Sequence, residues 1–216
     1  MFPLSDTSRH LHSRPVVTIG LIVANILVFA FELSQPEDFV IAWSVVPSDI
    51  VSGQHWVTLL TAMFMHGGFM HIIGNMVFLW VFGPEMEDAI GRGKFLLFYF
   101  AGGLVAWVAQ IAVDPASMIP NLGASGAIAA VMGAFLVTFP RDRIRTVLIF
   151  GIFFTVRMIP AVFLIGFWFV LQLISAGVST EQAGGVAYVA HIGGLLFGAV
   201  TGRLLAWRDV ATLSSE

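Results

Sequence analysis

No cysteine occurs in the 216 residues, which excludes a disulfide framework, thiolate metal ligands and a cysteine nucleophile. Charge is scarce too. Asp, Glu, Lys and Arg make up 11% of the chain and the formal net charge is -3, so nothing recommends nucleic acid as a partner. No His-Glu-x-x-His occurs, which disfavours a zinc intramembrane protease, and no metal or other cofactor is expected. What fills the chain instead is apolar: 58% of residues are hydrophobic, too many for an ordinary soluble domain of this length. The lipid bilayer is the expected surrounding.

The uncharged stretches define the spans. A helix needs about 20 apolar residues to cross the hydrocarbon core. The run from Val16 follows Arg9 and Arg14 as a signal peptide would, but no small-x-small cleavage site follows Phe31, so it reads as a retained first span. The uncharged run 50–84 is longer than one span, and Ser52, Gly53, Gln54 and His55 mark its first part as loop. The run 146–156 is too short to cross and is assigned to the interface. Six spans result, at 16–33, 66–84, 95–113, 124–140, 159–177 and 187–206, with an outer loop at 35–64. The fold class is an all-α polytopic membrane protein. Residues 1–15 are a cytoplasmic segment, 16–206 the membrane domain and 207–216 a cytoplasmic tail.

With both termini in the cytoplasm, Arg9, Arg14, Arg92, Lys94, Arg141, Arg143, Arg145, Arg157, Arg203 and Arg208 all fall on the inner side. That is the bias expected of cytoplasmic loops. Arg157 is the weakest placement, since it must stay near the inner surface. Glu37, Asp38, Asp49, Asp114 and Glu181 fall in the outer loops.

This orientation brings polar residues to one depth. His71 in the second span, Ser125 in the fourth and His191 in the sixth each lie near the outer end of a span. Polar groups inside a membrane are costly and face a protein interior or a water-filled cavity, so their coincidence marks a site. Ser125 lies between Gly123 and Gly126 where an apolar helix begins, beside backbone N–H groups not yet spent in the helix ladder. Imidazole suits the task of taking a serine's proton near neutral pH, so Ser125 and His191 supply nucleophile and base. No carboxylate occurs in these three spans near that depth, so a dyad rather than a triad is expected. His71 and Asn75, spaced i, i+4, share a helix face and can donate to a developing oxyanion alongside the Ser125 N–H.

Small residues permit the approach. Ser125, Ala129 and Gly133 form one stripe, and His191, Gly194, Gly198 and Gly202 another, a pattern of close helix contact. Each feature also has a plain structural reading: a dimer face for the glycines, interhelical glue for Asn75, a satisfied buried histidine for His71. His66, five residues before His71, faces differently and is assigned to hydrogen bonding within the outer loop. Met63, Met65, Met70 and Met76 are assigned to packing. Asn25 and Gln172 are read as structural hydrogen-bonders.

Three pieces together, His66-Gly67-Gly68-Phe69-Met70-His71-Ile72-Ile73-Gly74-Asn75, Gly123-Ala124-Ser125-Gly126 and Ala190-His191-Ile192-Gly193-Gly194, resemble the rhomboid intramembrane serine proteases in order and in helix assignment. Glu87 and Gly91 extend the likeness. The resemblance implies a six-helix rhomboid-like bundle with Ser125 as nucleophile, His191 as general base and His71 with Asn75 as oxyanion hole. It makes His66 the brace of the first outer loop. The substrates it implies are single-span membrane proteins, admitted between the second and fifth spans, with Gly184-Gly185 in a cap. A prokaryotic cell membrane is the expected setting, and the sequence leaves the oligomeric state open. Two positions depart from the family pattern: Thr58 stands where an arginine is common, and Ala129 where some members stack an aromatic on the base, leaving Tyr188 as the candidate neighbour of His191. A haem or transport protein using His71 and His191 as ligands is the alternative from another class. A catalytically inactive membrane-protein binder is the third.

Overall fold

Apolar segments that contain a buried carboxylate must satisfy it, and here one carboxylate fastens two helices. The computed structural model describes residues 2–6, 8, 11–150, 153–178 and 187–213. Its elements in order are β1 (Phe2–Asp6), α1 (Val16–Glu32), α2 (Glu37–Ala42), α3 (Pro47–Val51), α4 (Thr58–Thr61), α5 (Phe69–Ile90), α6 (Arg92–Val113), α7 (Ser125–Thr138), β2 (Arg143–Phe150), β3 (Phe153–Pro160), α8 (Ala161–Val178) and α9 (Tyr188–Leu213). Glu87 of α5 is fully buried and accepts the N–H groups of Val17 and Thr18 at 2.9 and 2.7 Å and the Thr18 hydroxyl at 2.8 Å. It therefore closes the open N-terminus of α1, where a negative charge is favoured.

This is why α5 does not stop at 84. The expected boundary was the last uncharged residue, but the helix continues through Pro84 because Glu87 has buried partners. Replacing Glu87 with Ala is expected to orphan those donors, at about 1–3 kcal/mol each. The thermal midpoint in detergent should fall. An unaltered midpoint would show that Glu87 does not fasten α1.

The structure is mostly helical. Among the described residues three helices, α5, α6 and the 188–205 part of α9, are long and apolar enough to cross a membrane, and α1, α7 and α8 provide shorter apolar helices. The most extensive helix pair is α7 with α9, with α6 against both. The segment 35–64, expected as an outer loop, forms the short helices α2, α3 and α4. At the other end of the chain α9 runs on to Leu213, into the segment expected as a tail.

The all-α expectation is corrected by a three-stranded antiparallel sheet in the order β1-β2-β3. The uncharged run around 146–156, too short to cross a membrane, lies in β2 and β3. The strand leading into that run alternates at period two over 143–146, with Ile144 and Thr146 buried and Arg143 and Arg145 exposed, the pattern of a half-buried strand. β1 ties the N-terminal segment to β2 through Phe2↔Val147 and Ser5↔Arg145. Arg157 is held in β3 opposite Thr146. Arg9, His10, Glu181 and the Gly184-Gly185 turn lie outside the described residues.

Candidate active site

The chain reaches Ser125 through a turn that only glycine takes without strain. Gly123 has φ +124, and a Cβ on it would come within 2.8 Å of His71 Nε2 and 3.6 Å of Ser125 Oγ. Its N–H donates to the Ala62 carbonyl at 2.8 Å, and Asn121 exchanges backbone hydrogen bonds with Val45, so the 35–64 segment pins the approach to α7. Ser125 is the first residue of α7. The ladder's bond back to Ala124 comes from Ile128, so the N–H groups ahead of it point out of the helix end.

His191 lies in the first turn of α9, and the preceding Ala190 N–H donates to Gln110 Oε1 of α6 at 3.2 Å. Its Nε2 is 2.6 Å from Ser125 Oγ. On the far side of the ring, Nδ1 is 2.8 Å from Gln172 Oε1. An amide oxygen only accepts, so Nδ1 carries the proton and Nε2 receives the serine hydroxyl. The ring is flanked by Trp168, with centroids 5.7 Å apart, and by Tyr188 at 6.4 Å.

The α5 side is equally specified. Gly67 N–H donates to His71 Nδ1 at 3.4 Å, which leaves Nε2 protonated and aimed at the Gly123 turn. Asn75 Nδ2 donates to His66 Nε2 at 3.0 Å, and His66 Nδ1 donates to the Phe64 carbonyl at 3.1 Å. The His66 backbone N–H is held by the Glu32 carboxylate at 3.2 and 3.3 Å. His66 thus does more than brace the loop: it reaches Asn75, which keeps a second N–H for another acceptor. Asn75, His66 and Glu32 are all buried.

Packing brings the two halves together with a shifted register. A Cβ at Gly194 would overlap the Gly126 carbonyl oxygen, at Gly198 that of Ala130, and at Gly202 the Ala134 Cα and Cβ. The α7 stripe opposite the α9 glycines is therefore Gly126, Ala130 and Ala134 rather than Ser125, Ala129 and Gly133. A Cβ at Gly133 would overlap Leu195 O one position away. Beneath the serine and histidine opens a cavity of about 460 Å³ with Phe78, Ile128, Met132 and Trp168 as apolar walls and Ser125, His71, Asn75 and His191 as its polar side. Met70, expected to be packed, is 80% exposed beside it.

Residues 53–208 match the family model described as the Rhomboid domain. The chain belongs to the rhomboid family. Among its relatives, the "Putative rhomboid protease YdcA" of Bacillus subtilis is 31% identical over 129 residues, 56% of this chain and 61% of that protein. The "Rhomboid protease GluP" of the same organism is 31% identical over 136 residues, 61% of this chain and 26% of that protein. "Rhomboid-like protein 11, chloroplastic" of Arabidopsis thaliana is 32% identical over 173 residues, 74% of this chain and 56% of that protein. The aligned part thus spans between a quarter and about three fifths of these relatives' lengths.

In this rhomboid Gln172, expected as a structural hydrogen-bonder, has His191 as its partner, and two further groups were not foreseen: Trp168 against the His191 ring and Gln110 on the Ala190 N–H. Trp168 and Gln172 are spaced i, i+4 on α8, so one helix face carries both. A lone amide in an apolar helix was the available signal, but it names no partner.

Proposed function

We propose that this rhomboid is an intramembrane serine endopeptidase that hydrolyses a peptide bond of single-span membrane proteins near the outer face. The observation that carries the reading is the 2.6 Å contact between Ser125 Oγ and His191 Nε2 beside an apolar cavity. His191 Nε2 takes the hydroxyl proton as Oγ attacks the substrate carbonyl carbon. The oxyanion is received by His71 Nε2–H, the free Asn75 N–H and the Ser125 N–H. Collapse expels the amine, which takes the proton from His191 and leaves an acyl ester on Ser125. Water then attacks the ester, losing a proton to His191, and the acid departs as Oγ regains that proton.

Six spans and cytoplasmic termini belong to the same proposal, with 16–206 as membrane domain between residues 1–15 and 207–216. The pairing of β1 with β2 and the bond from Arg92 Nη2 to the Arg14 carbonyl at 3.1 Å support it, since they gather basic segments at one end. Helix α7 has 14 residues, about 21 Å at 1.5 Å per residue, against the ~30 Å hydrocarbon core. A helix this short that reaches the inner boundary begins below the outer one, which sets Ser125 beneath the surface. Met70, Phe78 and Trp168 put the cavity between α5 and α8, which favours entry there, the gap between second and fifth spans. A substrate helix must unwind to present a carbonyl, so helix-weakening residues near its outer end should be preferred. The haem alternative finds both His191 ring nitrogens already engaged by protein groups.

The test is cleavage of a panel of reconstituted single-span substrates by the wild type, Ser125→Ala and His191→Ala, with covalent labelling of Ser125 by a fluorophosphonate. Equal cleavage by all three would remove the reading. Asn75→Ala is expected to lower kcat about 10²–10³-fold with little change in KM, as for loss of one oxyanion donor. Steady-state kinetics on the same substrates checks it, and an unchanged kcat would exclude Asn75 from the oxyanion site.

A further inference from the structure

We infer that Gln172 is the positioning residue of His191, so that the working unit is Ser125–His191–Gln172 with a neutral amide where many serine hydrolases hold a carboxylate. The inference rests on the proposed roles of Ser125 and His191. Three observations carry it, two of them on one face of α8. Gln172 Oε1 meets His191 Nδ1 at 2.8 Å, directly opposite the nitrogen that faces Ser125. Trp168, one turn earlier on α8, lies against the same ring at 5.7 Å between centroids. Among the described residues, Ser125 of α7, His71 of α5 and Tyr188 on its own helix also lie around His191, and none of these reaches Nδ1.

The chemistry requires such a partner. A free imidazole has two tautomers and two ring flips, and only one arrangement puts a lone pair on Nε2 toward the serine. An acceptor fixed at Nδ1 selects it. A carboxylate there would also stabilise the imidazolium. A neutral amide does so more weakly, at a far lower cost of placement in an apolar helix. The arrangement also means that α8, which borders one side of the cavity, holds the base at two points. Displacing α8 from α9 therefore dismantles the base as well as widening the cavity.

Gln172→Met preserves length and apolar fit while removing the acceptor, and loss of an amide from a bilayer-facing helix does not burden the fold. Gln172→Glu restores an acceptor. The experiment compares wild type, Ser125→Ala, Gln172→Met and Gln172→Glu on a reconstituted single-span substrate, reading kcat, KM, thermal midpoint and the rate of fluorophosphonate labelling. Gln172→Met is expected to lose on the order of 10²-fold in kcat and in labelling rate, within the range a general base contributes, with KM and midpoint near wild type. Gln172→Glu is expected to recover to within about tenfold of wild type, because its carboxylate again accepts from Nδ1. Wild-type kcat in Gln172→Met overturns the inference, as does a Gln172→Glu enzyme that folds yet is no faster than Gln172→Met. If Gln172→Met is not monodisperse, Gln172→Asn, whose acceptor is drawn back by one methylene, replaces it with the same criteria. Full activity in Ser125→Ala would instead strike the underlying protease reading.

Discussion

Ser125→Ala and His191→Ala are each expected to lose at least about 10⁴-fold in kcat, and the double variant no more than either single one. In the proposed mechanism nucleophile and base act as a unit: removing one leaves the other nothing to do, so the losses do not add. What survives is binding and the oxyanion donors. The His191 ring keeps Gln172 and Trp168 in Ser125→Ala, so that variant should fold with a midpoint close to wild type. Additive losses, or a large fall in midpoint on Ser125→Ala, would show that the 2.6 Å contact is a structural bond between helices rather than a reacting pair.

The second large effect is structural. Gly198→Leu is expected to destroy the α7–α9 interface and, with it, activity. A Cβ at Gly198 would overlap the Ala130 carbonyl oxygen and come within 2.7 Å of its carbon and 2.9 Å of its Cα. These are backbone atoms, so no rotamer change relieves the collision. Overpacking costs about 1–3 kcal/mol where side chains can shift; here the helices must separate, and His191 leaves Ser125. The control is Val200→Leu on the same helix, where the side chain is 70% exposed and neither midpoint nor cleavage should change. Thermal unfolding in detergent, paired with fluorophosphonate labelling, reads both. A stable, fully labelled Gly198→Leu protein would show that close glycine packing does not hold the site together.

Much of this was legible from residue types because a bilayer limits what a chain can do. Polar side chains at Ser125, His191, His71 and Asn75 stand out against apolar helices, and the glycine stripe at 194, 198 and 202 announces close approach. Other features were hidden for identifiable reasons. The 143–160 sheet escaped because run length was weighed before its period-two alternation. The continuation of α5 past Pro84 escaped because a charged Glu87 looks like a boundary until its partners on α1 are known. The facing stripe on α7 was placed one residue off because Ala129, Ala130 and Ala134 are chemically alike, so composition does not choose among them.

By itself the sequence determined the apolar, membrane-suited character of the chain and singled out the candidate pair, since hydropathy, spacing and residue chemistry are properties of the chain read in one dimension. Only the tertiary structure decided what stands behind the pair: Gln172 on His191 Nδ1, Trp168 on its ring, and His66 on Asn75. A glutamine in an apolar helix carries the same chemistry wherever its helix goes. Its partner is chosen by the packing of α8 against α9, which depends on contacts between segments rather than on the local pattern of either.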